Sequence, residues 1–271
     1  MSNELKQRLT FAVVGIPIVI WLFFTGGVVL QVFIGLTSAI GMWEYRKMMF
    51  QDKLIWTIID ILIAIGVFLF ASMVKERFCP SCLISSWAYI AFLFVLQSLL
   101  WFARKSEKPA FKNYLLTLWG LIYLAILSGL IFRIDLMYHE KHLLLMLVIL
   151  IWITDSAAYF IGMKYGKHRG IFPVSPKKSL EGFIAGLLAP FIAVSLIYMF
   201  NRNWTFAELS IAALCAGLLG QLGDLLESKL KRAGGVKDSS NLIPGHGGVL
   251  DRFDSLLLAG PVMYCLLILV H

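Results

Sequence analysis

The chain has 271 residues, 59% of them hydrophobic and only 15% charged, with a mean hydropathy of +0.82. A soluble domain is nearer half apolar and a quarter charged. The composition therefore excludes a soluble enzyme and points to an all-α, polytopic integral membrane protein.

Apolar runs approaching the ~20 residues that cross a bilayer lie at 9–24, 28–43, 54–73, 83–102, 114–131, 143–161, 183–200, 209–226 and 255–270. They predict about nine transmembrane helices. The first run follows Arg8 and lacks a small-residue cleavage site, so it is expected to stay as a span. Gly26 and Gly27 separate the first two runs and allow either a tight turn or a kink in one long helix. Asp60 lies inside the third run. An intramembrane carboxylate is a functional candidate by default, but pairing with a neighbouring helix explains it better, because no other polar residue is near it in sequence. Cys79-Pro80-Ser81-Cys82 falls in an outer loop and fits a disulfide better than zinc, since no second pair lies nearby. Cys215 and Cys265 read as packing residues.

Charge bias fixes the expected topology. With nine spans and a cytoplasmic N-terminus, nineteen of the 24 lysines and arginines fall on the inner side. Only Lys75, Arg77, Arg133, Lys141 and Arg202 fall outside, a clear inside-positive pattern. Merging the first two runs would spoil the alternation for the N-terminal arm. The formal net charge of +8 is thus mostly topology, with some attraction to anionic headgroups, and does not indicate a nucleic-acid partner.

The chain reads as one membrane unit in two regions, spans one to five over 1–142 and spans six to nine over 143–271. Polar chemistry concentrates in the second, above all in 228–254, which sets lysines, arginines and carboxylates among five glycines. Asp155, in the sixth run, serves equally as a metal carboxylate or as partner to a lysine or a neighbouring helix. Lys177 and Lys178 precede Ser179-Leu180-Glu181-Gly182, a helix start with a hydroxyl cap and an early acid. Lysines there make an anion pocket, although composition alone favours ordinary inside-positive charge.

On the eighth run Asp224, Glu227, Ser228 and Lys231 share one helical face, continuing a stripe of Gly217, Gly220 and Gln221. A helix end running into water explains Lys229, Lys231 and Arg232. It does not explain Asp224, which stands among Leu222, Leu225 and Leu226. Asp251 and Asp254, three apart before the ninth run, would face one way at a helix N-terminus, where negative charge and phosphate are favoured. An N-cap role for Asp254 is the alternative. With Asp224 they form an all-oxygen set suited to Mg2+ rather than zinc. Gly245, Gly247 and Gly248 around His246 would let backbone N–H groups approach an anion. His246 reads as a phosphate ligand or structural hydrogen-bonder, because no proton awaits abstraction.

The string Ser228-Lys-Leu-Lys231-Arg232, then Lys237-Asp238, then Ile243-Pro244-Gly245-His246-Gly247-Gly248-Val-Leu-Asp251-Arg252-Phe-Asp254 resembles the signature of the phosphatidate cytidylyltransferases, or CDP-diglyceride synthetases, without departure. Asp155-Ser-Ala-Ala-Tyr159 with Gly162, and Ser175-Pro-Lys177-Lys178-Ser179 with Glu181-Gly182, also resemble family patterns; Leu180 stands where an aromatic is expected. The N-terminal half agrees only in being hydrophobic.

The resemblance implies transfer of CMP from CTP to phosphatidic acid, a membrane lipid, giving CDP-diacylglycerol and pyrophosphate with Mg2+ or a similar divalent cation. It casts Asp224, Asp251 and Asp254 as metal ligands. Lys177, Lys178, Lys231, Arg232, Lys237 and Arg252 become candidates for phosphate oxygens, and Asp155, Ser179, Ser228, Asp238, His246, Gly247 and Gly248 complete the substrate site. A site on the inner face that opens sideways would meet both cytoplasmic CTP and the lipid, so the cell membrane is the expected location. A homodimer rests on the resemblance alone. A CDP-alcohol phosphotransferase would space its aspartates one residue further apart, after an Asp-Gly…Ala-Arg element that is missing here. An ion transporter would use Asp60, Asp155 and Asp224, but a cluster at one edge without an inverted repeat argues against it.

Overall fold

The computed structural model describes residues 3–50, 54–73, 95, 97–99, 111–243, 245 and 247–270. Among these the structure is helical, and β pairing is limited to two isolated bridges, Arg169 with Ser179 and Ile243 with Gly247. The helices are α1 (Asn3–Thr25), α2 (Gly27–Met49), α3 (Leu54–Met73), α4 (Lys112–Lys141), α5 (Leu143–Tyr165), α6 (Leu180–Phe200), α7 (Phe206–Ala233) and α8 (Leu250–Val270). Seven of them, α2 to α8, are long and apolar enough to cross a membrane. They coincide with the second, third and fifth to ninth apolar runs. Helix α1 carries the first run, and its described apolar part, Val13–Thr25, is shorter. Most of the fourth run, with Cys79 and Cys82, lies outside the described residues.

The two glycines after α1 make a turn. Gly26 and Gly27 both adopt positive φ, 59° and 56°, a region that glycine enters without steric cost. The rings of Phe23 and Phe33 come within 6.4 Å of each other. One continuous helix would carry residues ten apart through about 15 Å of rise, so the chain folds back here.

Lipid offers no hydrophobic drive to bring helices together, so close packing and polar links must do it. Outward-facing stripes recur every fourth residue, as in Ile184, Leu188, Ile192 and Leu196 of α6, all exposed. Inside the bundle Arg46 and Asp60, with fully buried side chains, pair at 2.9 Å, and Gln97 donates to Asp60 at 2.8 Å. Asp60 is thus a helix-pairing residue. Arg46, which the topology count treats as an inner-surface cation, is buried in that pair. Cys215 packs in the core, whereas Cys265 is exposed.

Two π-helical turns, Ile122–Ile126 in α4 and Cys215–Gly220 in α7, interrupt the regular period. Such a turn inserts a residue and rotates the helix face beyond it. The stripe expected from Gly217 to Asp224 is therefore split: Gly217 and Gln221 meet α6, while Gly220 lies nearest Ile151 of α5 and Ser255 of α8.

Polar loops gather at opposite ends of the bundle. At one end Gly27 N donates to Asp135 at 2.8 Å, Lys141 pairs with Glu208 at 2.7 Å, and Trp204 donates to the Lys141 carbonyl at 2.8 Å. At the other end Glu44 of α2 meets the segment before α8.

Candidate active site

A cavity of ≈ 650 Å3 opens at the second end, between α5, α6, α7 and α8. Helix α5 lines it with Asp155, Tyr159 and Met163, and the loop before α6 supplies Arg169, Lys177, Lys178 and Ser179. Helix α7 contributes Gln221, Asp224 and Lys231, and the wall opposite consists of Asp238, Asp251, Arg252 and Asp254. Residues far apart in sequence and expected to act together thus face one space.

The loop before α6 is held by local chemistry. Ser179 is the expected N-cap, with extended backbone (φ −109°, ψ 156°) and a side chain accepting from Gly182 N at 3.2 Å. Glu181 turns away to accept from His168, whose Nδ1 lies 2.6 Å off. Arg169 donates to the carbonyls of Gly162 at 2.8 Å, Gly166 at 3.2 Å and Lys177 at 3.4 Å, which staples the lysine loop to the end of α5. Sequence reasoning counted Arg169 only as inside-positive charge; nothing local distinguishes it from its basic neighbours.

Carboxylates and ammonium groups alternate around the cavity. Lys178 Nζ lies 2.5 Å from Asp224 Oδ2, and Ser228 Oγ lies 3.4 Å from Asp224 Oδ1. Lys231 sits between Glu227, which is fully buried, and Asp251 Oδ1, 2.5 Å away. The other oxygen of Asp251 accepts from Gly248 N at 2.7 Å, Ser239 N at 3.0 Å and Ser239 Oγ at 2.9 Å. The Gly248 N–H, expected to face an anion, is therefore engaged within the protein. Helix α8 begins at Leu250, so Asp254 lies a turn inside it and is no N-cap. Its Oδ1 accepts from Ser255 N at 2.6 Å.

Gly223 brings Asp254 to the site. A Cβ there would lie 2.6 Å from the Asp254 carbonyl oxygen and 3.1 Å from Ser255 Cα, so any larger residue would push α7 and α8 apart. The approach sets Asp254 on the cavity that Asp224 and Asp155 also line.

Other expected residues stand back from it. Arg232 is exposed and donates to the Val236 carbonyl at 2.8 Å, and Lys237 is exposed, neither lining the cavity. Ser228, Gly247 and Gly248 lie behind the wall, and His246 lies outside the described residues. Gln221, Ser239, Glu227 and Glu44 are functional candidates that sequence reasoning missed or left unassigned. Glu44 could not be found from sequence, since its partners lie about 200 positions away.

A hard divalent cation fits the donor chemistry, because Asp155, Asp224, Asp251 and Asp254 offer oxygen and no thiolate or imidazole lines the cavity among the described residues. No three acidic, histidine or cysteine side chains among the described residues already enclose one point. Two of the carboxylates are instead neutralised by Lys178 and Lys231.

Helices long and apolar enough to cross a membrane, with a cavity of carboxylates and cations at one end, are the architecture of a multi-pass membrane protein with a charged site. Residues 6–270 match the cytidylyltransferase family, and the chain belongs to it. It is 32% identical over 267 residues to a Staphylococcus aureus protein named phosphatidate cytidylyltransferase, covering 97% of this chain and 99% of that protein. A Haemophilus influenzae protein of the same name is 34% identical over 282 residues, covering 95% and 96%. One from Staphylococcus saprophyticus is 31% identical over 272 residues, covering 97% and 99%.

Proposed function

We infer that this chain transfers CMP from CTP to phosphatidic acid, giving CDP-diacylglycerol and pyrophosphate. The observation that carries the reading is the near full-length match to proteins named phosphatidate cytidylyltransferase. The cavity supplies the means. A non-bridging oxygen of the lipid phosphate attacks the α-phosphorus of CTP, and the bond from that phosphorus to the β-phosphate oxygen breaks. A phosphate monoester carries about −1.5 to −2 charge near neutral pH, so it attacks without a general base.

Two polyanions must meet, and positioning with charge stabilisation supplies most of the acceleration. Lys177, Lys178 and Arg252 border the cavity as ligands for phosphate oxygens. Asp224, Asp251 and Asp254 are the residues that would hold Mg2+, with Asp155 nearby; the ion would polarise the α-phosphate and steady the departing pyrophosphate. Lys178 contacts Asp224, and Lys231 contacts Asp251 and Glu227, so an ion held by Asp224 and Asp251 would compete with both lysines for those two carboxylates. Arg232 and Lys237, at the surface, suit an outer role in attracting CTP.

Nine spans, a cytoplasmic N-terminus and a site facing the cytoplasm of the bacterial inner membrane complete the reading, supported by the inside-positive distribution. The test is purified protein with phosphatidate, labelled CTP and Mg2+. Labelled CDP-lipid and stoichiometric pyrophosphate are expected; the absence of both would sink the reading. Chelating the divalent cation should stop turnover, and adding Mg2+ back should restore it.

A further inference from the structure

Glu44, near the end of α2, is completely buried. Its Oε1 accepts from Ser240 Oγ at 2.5 Å and Val249 N at 2.9 Å; its Oε2 accepts from Ser239 Oγ at 3.0 Å and Leu250 N at 2.8 Å. Two of these donors are backbone N–H groups at the start of α8, which lack intrahelical partners and favour negative charge. The other two are consecutive serines upstream. One carboxylate therefore gathers both ends of the loop that precedes Asp251.

The link reaches the cavity through Ser239. Its single hydroxyl proton is shared between Glu44 Oε2 and Asp251 Oδ2, the latter 2.9 Å away. Gly248 is enclosed by the same cluster: a Cβ there would lie 2.5 Å from Glu44 Oε1 and 1.9 Å from Ser239 Oγ. Burying a carboxylate is costly unless donors surround it, and an apolar anchor would hold α2 against α8 without that cost. What the carboxylate adds is direction, since four donors at 239, 240, 249 and 250 set its two oxygens.

We propose that Glu44 is a positioning residue for CMP transfer, which from α2 holds Ser239, Ser240, Val249 and Leu250 and, through Ser239, the Asp251 carboxylate, so that Asp251, Arg252 and Asp254 face the cavity. The proposal rests on reading those three residues as the reaction site. It makes the N-terminal half part of the catalytic apparatus.

The experiment compares Glu44→Gln, Ser239→Ala, their combination and Asp254→Asn in the purified full-length chain, measuring kcat, KM for CTP and the thermal midpoint. Glu44→Gln should lower kcat about 10–100-fold, as loss of groups that orient ligands does. Its KM for CTP should change by a smaller factor than kcat, because Lys177 and Lys178 sit on the opposite wall, which the mutation leaves alone, although Arg252 follows Asp251. Ser239→Ala should lower kcat about tenfold or less, and the double variant should fall no further than Glu44→Gln, the signature of one coupled network. Wild-type kcat in Glu44→Gln and Ser239→Ala with an inactive Asp254→Asn overturns the proposal alone; an active Asp254→Asn overturns the site reading with it. If Glu44→Gln does not fold, Ser239→Ala decides: a reduced kcat at unchanged KM supports the proposal, and an unchanged kcat overturns it.

Discussion

Two clusters of charge lie within the bundle, and they differ in what surrounds them. Arg46 and Gln97 both meet Asp60, at 2.9 and 2.8 Å, and all three are buried. Asp155, Asp224, Asp251 and Asp254, with Lys178 and Lys231, border a cavity of ≈ 650 Å3. The first cluster joins helices where lipid provides no hydrophobic drive. The second keeps an excess of polar groups turned toward open space, where a ligand can enter. Charge in a span is therefore a weak pointer to function until its access is known.

The largest effect should come from the second cluster. Asp224→Asn or Asp254→Asn should lower kcat at least about 100-fold, comparable with removing a group that stabilises transition-state charge, while the detergent-extracted protein keeps its thermal midpoint. Near-normal turnover in either would remove that residue from the reaction site. Lys178→Ala should act next, raising KM for CTP about tenfold, the order expected for one charge-assisted contact. A change confined to KM for phosphatidate would reassign Lys178 to the lipid.

The first cluster should respond in stability. Asp60→Asn removes the carboxylate charge that Arg46 meets at 2.9 Å, and breaking a buried pair costs about 3–5 kcal/mol. The thermal midpoint should fall while kcat per folded molecule stays near normal; loss of turnover at full stability would return Asp60 to the site. The smallest effect belongs to the opposite end, where Lys141 is partly exposed in its pair with Glu208. Because Glu208 is buried, Lys141→Gln should cost about 1–3 kcal/mol, with kcat unchanged.

Helical spacing alone placed Asp224, Ser228 and Lys231 on one face, because α7 is regular from Gln221 onward. It failed just upstream, where a π turn at Cys215–Gly220 rotates the face. The Ser179 cap was legible because a hydroxyl before a helix has few other uses there. Arg232 and Lys237 looked equivalent to Lys231 in the same string, yet only Lys231 turns inward. Spacing along a loop carries no such direction.

By itself, then, the sequence determined that this is a helical membrane protein and which segments hold the polar residues that line its cavity. Bilayer thickness and the cost of exposed backbone in lipid leave few other solutions for such a pattern. Only the tertiary structure decided that Asp60 is closed off by Arg46 while Asp155 opens on the cavity, and that Glu44 anchors the loop before Asp251. Each depends on which helices touch, and that is settled by close approaches such as Gly223 against Asp254, which no local pattern records.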